Sequence, residues 1–95
     1  MKIDTTTTIS AKLTFNKNTY PGIISFTSDG MRFKPHQISH KTPEVKIDYT
    51  DFKDMFVGTT LSLSSSITIM DKLNHRYKFS TWRTRAIRKY LDNKF

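Results

Sequence analysis

The stretch PGIISFTSDGMRFKP, Pro21 to Pro35, reads as two short apolar-alternating runs folded back on each other. Ile24 and Phe26 share one face, Met31 and Phe33 recur at alternate positions on the return, and Arg32 and Lys34 point the other way. Alternation of period two marks a strand buried on one face only. Between the runs, Thr27-Ser28-Asp29-Gly30 supplies turn chemistry, with Gly30 able to take a positive φ. The stretch is a β-hairpin, and the rest of the chain follows the same pattern.

Upstream, Ile9, Ala11, Leu13 and Phe15 alternate with Ser10, Lys12, Thr14 and Asn16, which predicts another half-buried strand. Residues 1–8, with the run Thr5–Thr8, are polar and read as a flexible lead-in to a single domain over 9–95. The segment NKNTYPG is expected to turn the chain at its Pro and Gly. Downstream, a polar loop lies between Pro35 and Pro43, and Val45, Ile47 and Tyr49 begin the next strand. Phe52, Met55 and Phe56 leave the period ambiguous, so TDFKDMFV reads as a turn or bulge leading into a strand. TLSLS (Leu61, Leu63) and SITIM (Ile67, Ile69) alternate cleanly, and a last hairpin turns at DKLNH and returns through Tyr77 and Phe79.

After Ser80 or Thr81, either of which can cap a helix, the spacing changes. Trp82, Ala86 and Tyr90 recur every fourth residue, with Ile87 and Leu91 one step round, forming one apolar stripe. Six or seven short strands and one terminal amphipathic helix predict a mainly β fold. It should be a partly open barrel of about seven antiparallel strands capped by the C-terminal helix, with Trp82 as the plug.

These residues resemble the GRAM and pleckstrin-homology-like (PH-like) domain family. The resemblance runs from about Ala11 to Leu91 and rests on PGIISFTSDGMRFKP, VKIDYTDFKDM and HRYKFSTWRTRAIRKYL, which are similar in apolar spacing to the family's hairpin, its strand-and-turn and its closing helix. Membership implies a bent seven-stranded barrel and a non-enzymatic binding module acting on lipid headgroups or peptides. Inositide-binding PH domains tend to carry a basic triplet in the second strand; IISFTSD carries no base, which points away from headgroup-specific recognition.

At 95 residues, with 36% hydrophobic and 13% aromatic side chains, the chain has material for one core and no more. There is no cysteine, hence no disulfide framework or thiolate metal site, and a reducing cytoplasm is compatible. No apolar run approaches the roughly 18 residues of a spanning helix, and MKIDTTTTIS lacks a signal peptide's apolar core. The expectation is a cytoplasmic protein, with peripheral attachment at the inner membrane surface as a second option. Mean hydropathy is −0.54 and the isoelectric point about 9.9.

The net charge of +8 asks for an anionic partner and is unevenly distributed. From Lys72 onward, eight bases face the single acid Asp92, a net +7. Within that tail, Arg76, Lys78, Arg83, Arg85, Arg88 and Lys89 form the candidate binding patch, through electrostatic contacts. A protein partner is the first expectation, an anionic membrane surface the second. The competing class is a small basic nucleic-acid-binding protein using the same patch.

Nothing supports catalysis. His36 and His40 have a spacing that on a helix could hold zinc, but they sit in a Pro-bracketed loop with only Glu44 nearby, so solvated loop histidines are expected. His75 falls at a hairpin tip. Asp48, Asp51 and Asp54 recur every third residue without the Gly and closing Glu of a calcium loop, and Lys46 and Lys53 interleave them, which predicts surface ion pairs. Three glycines form no phosphate loop. No metal, cofactor or enzymatic role is implied.

Overall fold

The computed structural model describes residues 2–37, 44–59 and 65–94. Seven strands, β1 (Thr8–Phe15), β2 (Asn18–Phe26), β3 (Gly30–Pro35), β4 (Val45–Asp48), β5 (Phe52–Thr59), β6 (Ser65–Asp71) and β7 (Arg76–Thr81), precede one helix, α1 (Thr84–Asp92). They form one antiparallel sheet in the order β4-β3-β2-β1-β7-β6-β5, curled into a half-barrel. The two ends of the sheet, β4 and β5, are joined by a 3-10 turn at Tyr49–Asp51. The expected architecture is present. The TLSLS strand, with Leu61 and Leu63, and His40 lie outside the described residues.

The alternating side chains fill the concave face. Leu13, Ile24, Met31, Phe33, Ile67, Ile69 and Phe79 are almost wholly removed from water, together with Ile87 and Leu91 of the helix. Phe33 and Phe79 meet with ring centroids 5.7 Å apart. Ile3, within residues expected to precede the domain, is buried too. The Asp4 carboxylate accepts hydrogen bonds from the Thr6 backbone N–H at 2.8 Å and its hydroxyl at 2.6 Å, closing a local turn behind it.

The first turn is not where Pro and Gly mark it. Asn16 and Lys17 take φ of 51° and 68°, the two left-handed residues of a tight hairpin turn, and β2 starts directly after them. Pro21 therefore lies inside β2, opposite Lys12. Its carbonyl accepts from the His36 N–H at 3.0 Å. The nitrogen of the same residue faces that side as well, beyond the last β2–β3 ladder pair, so no β1 acceptor is left without a donor.

Gly30 likewise serves a different purpose from the one expected. No glycine has a positive φ among the described residues. A Cβ at Gly30 would collide with the Ile47 carbonyl oxygen and stand 2.9 Å from the Asp48 Cα, so glycine is needed there for the close approach of β4. The Thr27 hydroxyl secures the turn, accepting from the Gly30 N–H at 3.1 Å.

The β6–β7 turn is organised by Asp71, which is buried rather than a surface turn residue. Its Oδ1 accepts from the backbone N–H groups of Leu73 (3.0 Å) and His75 (2.9 Å), and its Oδ2 lies 3.0 Å from His75 Nδ1. Burial pushes this carboxyl up, but the His75 backbone and ring and the Leu73 N–H outweigh it and hold it below 3.8. A depressed folded value means that the stability Asp71 contributes is complete above about pH 5 and is lost as the pH falls through that value. Asp71→Ala should lower the melting temperature by roughly 5–10 °C at pH 7. It should also flatten the acid limb of a melting series from pH 7 to pH 3; an acid limb as steep as wild type would assign it to other carboxylates.

Helix α1 starts later than the candidate caps indicate, and this displaces Trp82. Thr81 belongs to β7, and its hydroxyl donates to the Ser10 carbonyl of β1 at 2.9 Å instead of capping a helix. Two turn residues follow, and α1 begins at Thr84, whose hydroxyl lies 2.7 Å from that of Ser65. The buried face is thus Thr84, Ile87 and Leu91, with Ala86 and Tyr90 half-buried beside it. Trp82, expected as the plug, stands outside the helix and is 75% exposed. Tyr90 packs edge-on against Phe26 at 5.0 Å and fixes the far end of the helix. Burial, reinforced by the Tyr90 hydroxyl, raises the Tyr49 hydroxyl well above its usual range, so it remains a donor, to the Thr27 carbonyl at 3.3 Å.

Candidate binding surface

The six bases of the tail do not form one patch. Strand alternation places Arg76 and Lys78 on the convex outer face of β7, opposite Met70 and Thr68 of β6, with Thr14 of β1 on the other side of Lys78. Arg88 is turned toward Asp92, with Nε 3.8 Å from its Oδ2, and both side chains are more than half exposed. An exposed pair at that distance contributes little to stability.

Arg83, Arg85 and Lys89 do converge. Together with Trp82 of the preceding turn, Thr84 and Ala86 of α1, Val57 of β5 and Ser65 of β6, they line a hollow of about 530 Å³. Within α1, residues 85, 86 and 89 are spaced three and four apart and so share one side, and Trp82 and Arg83 join them from the turn that precedes the helix. The Ser65 hydroxyl ties the floor together: its Oγ donates to the Thr81 backbone carbonyl at 3.1 Å and meets Thr84 Oγ1 at 2.7 Å. The polar groups there are therefore fixed before any ligand arrives.

Trp82 also borders a second hollow, of about 390 Å³, lined by Ala11, Lys12, Pro21, His36, Ser80 and Thr81 among others. The indole thus separates two concavities, one rimmed by Arg83, Arg85 and Lys89 and the other bordered by Lys12. The sequence pattern places Trp82 in the core, Lys12 on the outer face of the first strand and His36 in a solvated loop, and does not bring the three together. Their signal is the β1–β2 register, which sets Lys12 opposite Pro21, and a register is not visible before the turn at Asn16–Lys17 is placed.

Among the described residues, no group of three or more His, Asp or Glu side chains is close enough to hold a metal ion. Asp48, Asp51 and Asp54 do not converge, and Lys53, expected in an ion pair with them, instead donates to the Asn74 side-chain oxygen at 2.9 Å. No helix among the described residues is long and apolar enough to cross a membrane.

The fold has a solved counterpart. This chain is similar to the crystal structure of the C-terminal domain of an unknown protein from Leishmania infantum, with a TM-score of 0.78 over 96% of this chain and 83% of that one. Sequence identity is 12%, so the likeness concerns the fold: seven antiparallel strands in a curled half-barrel with one C-terminal helix. No family model matches the sequence, and no curated protein matches it.

Proposed function

We propose that this chain is a non-catalytic, cytoplasmic binding module of PH-like type that takes an extended acidic protein segment beside α1. The observation that carries the reading is the hollow between β5, β6 and the start of α1, rimmed by Arg83, Arg85 and Lys89 and walled by Val57, Ala86 and the exposed Trp82. An apolar wall with cations on its rim suits a partner that alternates apolar and acidic side chains. From Asp54 to Gly58, β5 pairs with β6 alone among the described residues, so the adjoining edge is available for strand addition. The resemblance of the three sequence stretches to GRAM and PH-like domains agrees with a module that binds rather than catalyses.

The test uses the single tryptophan. A ten-residue peptide alternating valine and glutamate is titrated into the protein while the emission of Trp82 is followed. Binding should shift the emission, weaken at least tenfold in the Arg85→Glu, Lys89→Glu double variant, and stay within about twofold in Arg88→Ala, whose side chain is engaged with Asp92. Equal losses in the two variants would reduce the interaction to net charge and remove the hollow from the site.

A further inference from the structure

Strand register determines which side chains share the convex outer face of the sheet. Lys46 of β4 stands opposite Arg32 of β3, and Lys34 of β3 opposite Ile23 of β2. On the other side of β2, Lys12 of β1 stands opposite Ser80 of β7, and Lys78 opposite Thr14, with Arg76 two residues along β7. All six of these bases are exposed. They form two banks, one on β3–β4 and one on β1–β7.

Between the banks runs β2, whose outward residues Thr19, Pro21, Ile23 and Ser25 carry no charge. Among the described residues, the only acids in the strand segments on this face, Asp48 and Asp54, belong to the edge strands. At about 4.8 Å per strand, the banks are centred three spacings apart, about 14 Å. The face is therefore a convex uncharged ridge with cations along both flanks.

We propose that this outer face docks on duplex DNA, with β2 toward the major groove and the two banks on the phosphates that border it. The B-form major groove is about 12 Å wide, which matches the separation of the banks. The outward hydroxyls of β1 and β2 add neutral donors of the kind that phosphate oxygens accept, and such contacts position a protein without reading sequence. A-form RNA hides its major groove in a deep, narrow cleft. Single strands need stacking platforms, and β1, β2, β3 and β7 place no aromatic ring on the outer face. A flat bilayer would meet the crest of the ridge before either bank. This surface is separate from the hollow beside α1, and the inference stands whether or not that hollow binds peptide.

Fluorescence anisotropy of a labelled 24-base-pair DNA duplex, titrated with the full chain from 50 to 200 mM KCl, tests the proposal. Contact with about four phosphates gives a slope near −4 in log affinity against log salt, a loss of roughly 200-fold over that range. The Arg32→Ala, Lys34→Ala pair and the Lys12→Ala, Lys78→Ala pair should each reduce the slope by about two, while Arg88→Ala leaves it unchanged. Should either alanine pair melt early, the corresponding glutamine pair gives the same reading. Absence of binding at 50 mM KCl, slopes unmoved in both pairs, or equal affinity for a 24-base-pair RNA duplex or for phosphatidylserine vesicles would overturn it.

Discussion

Ile87→Ala is expected to lower the unfolding free energy by about 3 kcal/mol, while Trp82→Ala changes it by no more than about 0.5 kcal/mol. The contrast follows from where the two side chains lie. Ile87 is fully buried, on the face by which α1 closes the half-barrel, and alanine would leave a cavity among residues that cannot collapse into it. The Trp82 ring is mostly in water already, so its removal takes little apolar surface out of a buried state. For a domain of this size the first substitution corresponds to a fall of roughly 15 °C in melting temperature. Thermal and urea unfolding of the two variants side by side provide the check. A Trp82→Ala loss equal to that of Ile87→Ala would mean that the indole closes the barrel as much as the helix face does.

Gly22→Ala is expected to be comparably damaging, about 3 kcal/mol, although it adds a single methyl group. Gly22 sits in β2 with β1 on one side and β3 on the other, opposite Ala11 and Pro35. A Cβ there would collide with the Lys34 carbonyl oxygen and stand 2.5 Å from the Phe33 ring and 2.8 Å from the Pro35 Cα. Two of these three are backbone atoms, and the third belongs to a side chain wedged in the core, so none can move aside cheaply. Gly58→Ala is the matched control. Its Cβ would come within 3.0 Å only of the Ser66 hydroxyl, which can rotate away. A urea midpoint for Gly22→Ala within error of the Gly58→Ala value would show that β2 and β3 can separate without loss.

Much of the fold was legible because a sheet buried on one face writes its period into the sequence. Ile9, Ala11 and Leu13, Ile24 and Phe26, Met31 and Phe33, Val45 and Ile47, and Ile67 and Ile69 all point inward as their alternation predicts. What local pattern misread depends on contacts between residues far apart in the chain. The helix starts at Thr84 because the Thr81 hydroxyl is engaged by Ser10 on β1, and no window of ten residues contains both. Pro21 sits inside a strand because β3 ends before reaching it.

The candidate site was legible in part for the same reason. Clustering along the chain put six bases together, but strand alternation and the helical turn aim them in three directions, leaving Arg83, Arg85 and Lys89 around one hollow. Conversely, Lys12, Arg32, Lys34 and Lys46 are dispersed along the sequence, and only register makes them neighbours or sets them on one face.

The pairing of β1 with β7, Leu13 opposite Phe79, also governs when this domain can exist. The first strand of the domain to be synthesised waits for the last before its second edge is covered, and the helix that seals the core follows both. Closing so long a loop delays folding until almost the whole domain is available, the regime in which native contacts of high sequence separation set a slow rate. During that interval the β1–β2–β3 hairpins present an unprotected apolar face and an open edge. Emerging chains of this protein are therefore expected to bind chaperones, and a version shortened before Arg76 to aggregate rather than fold.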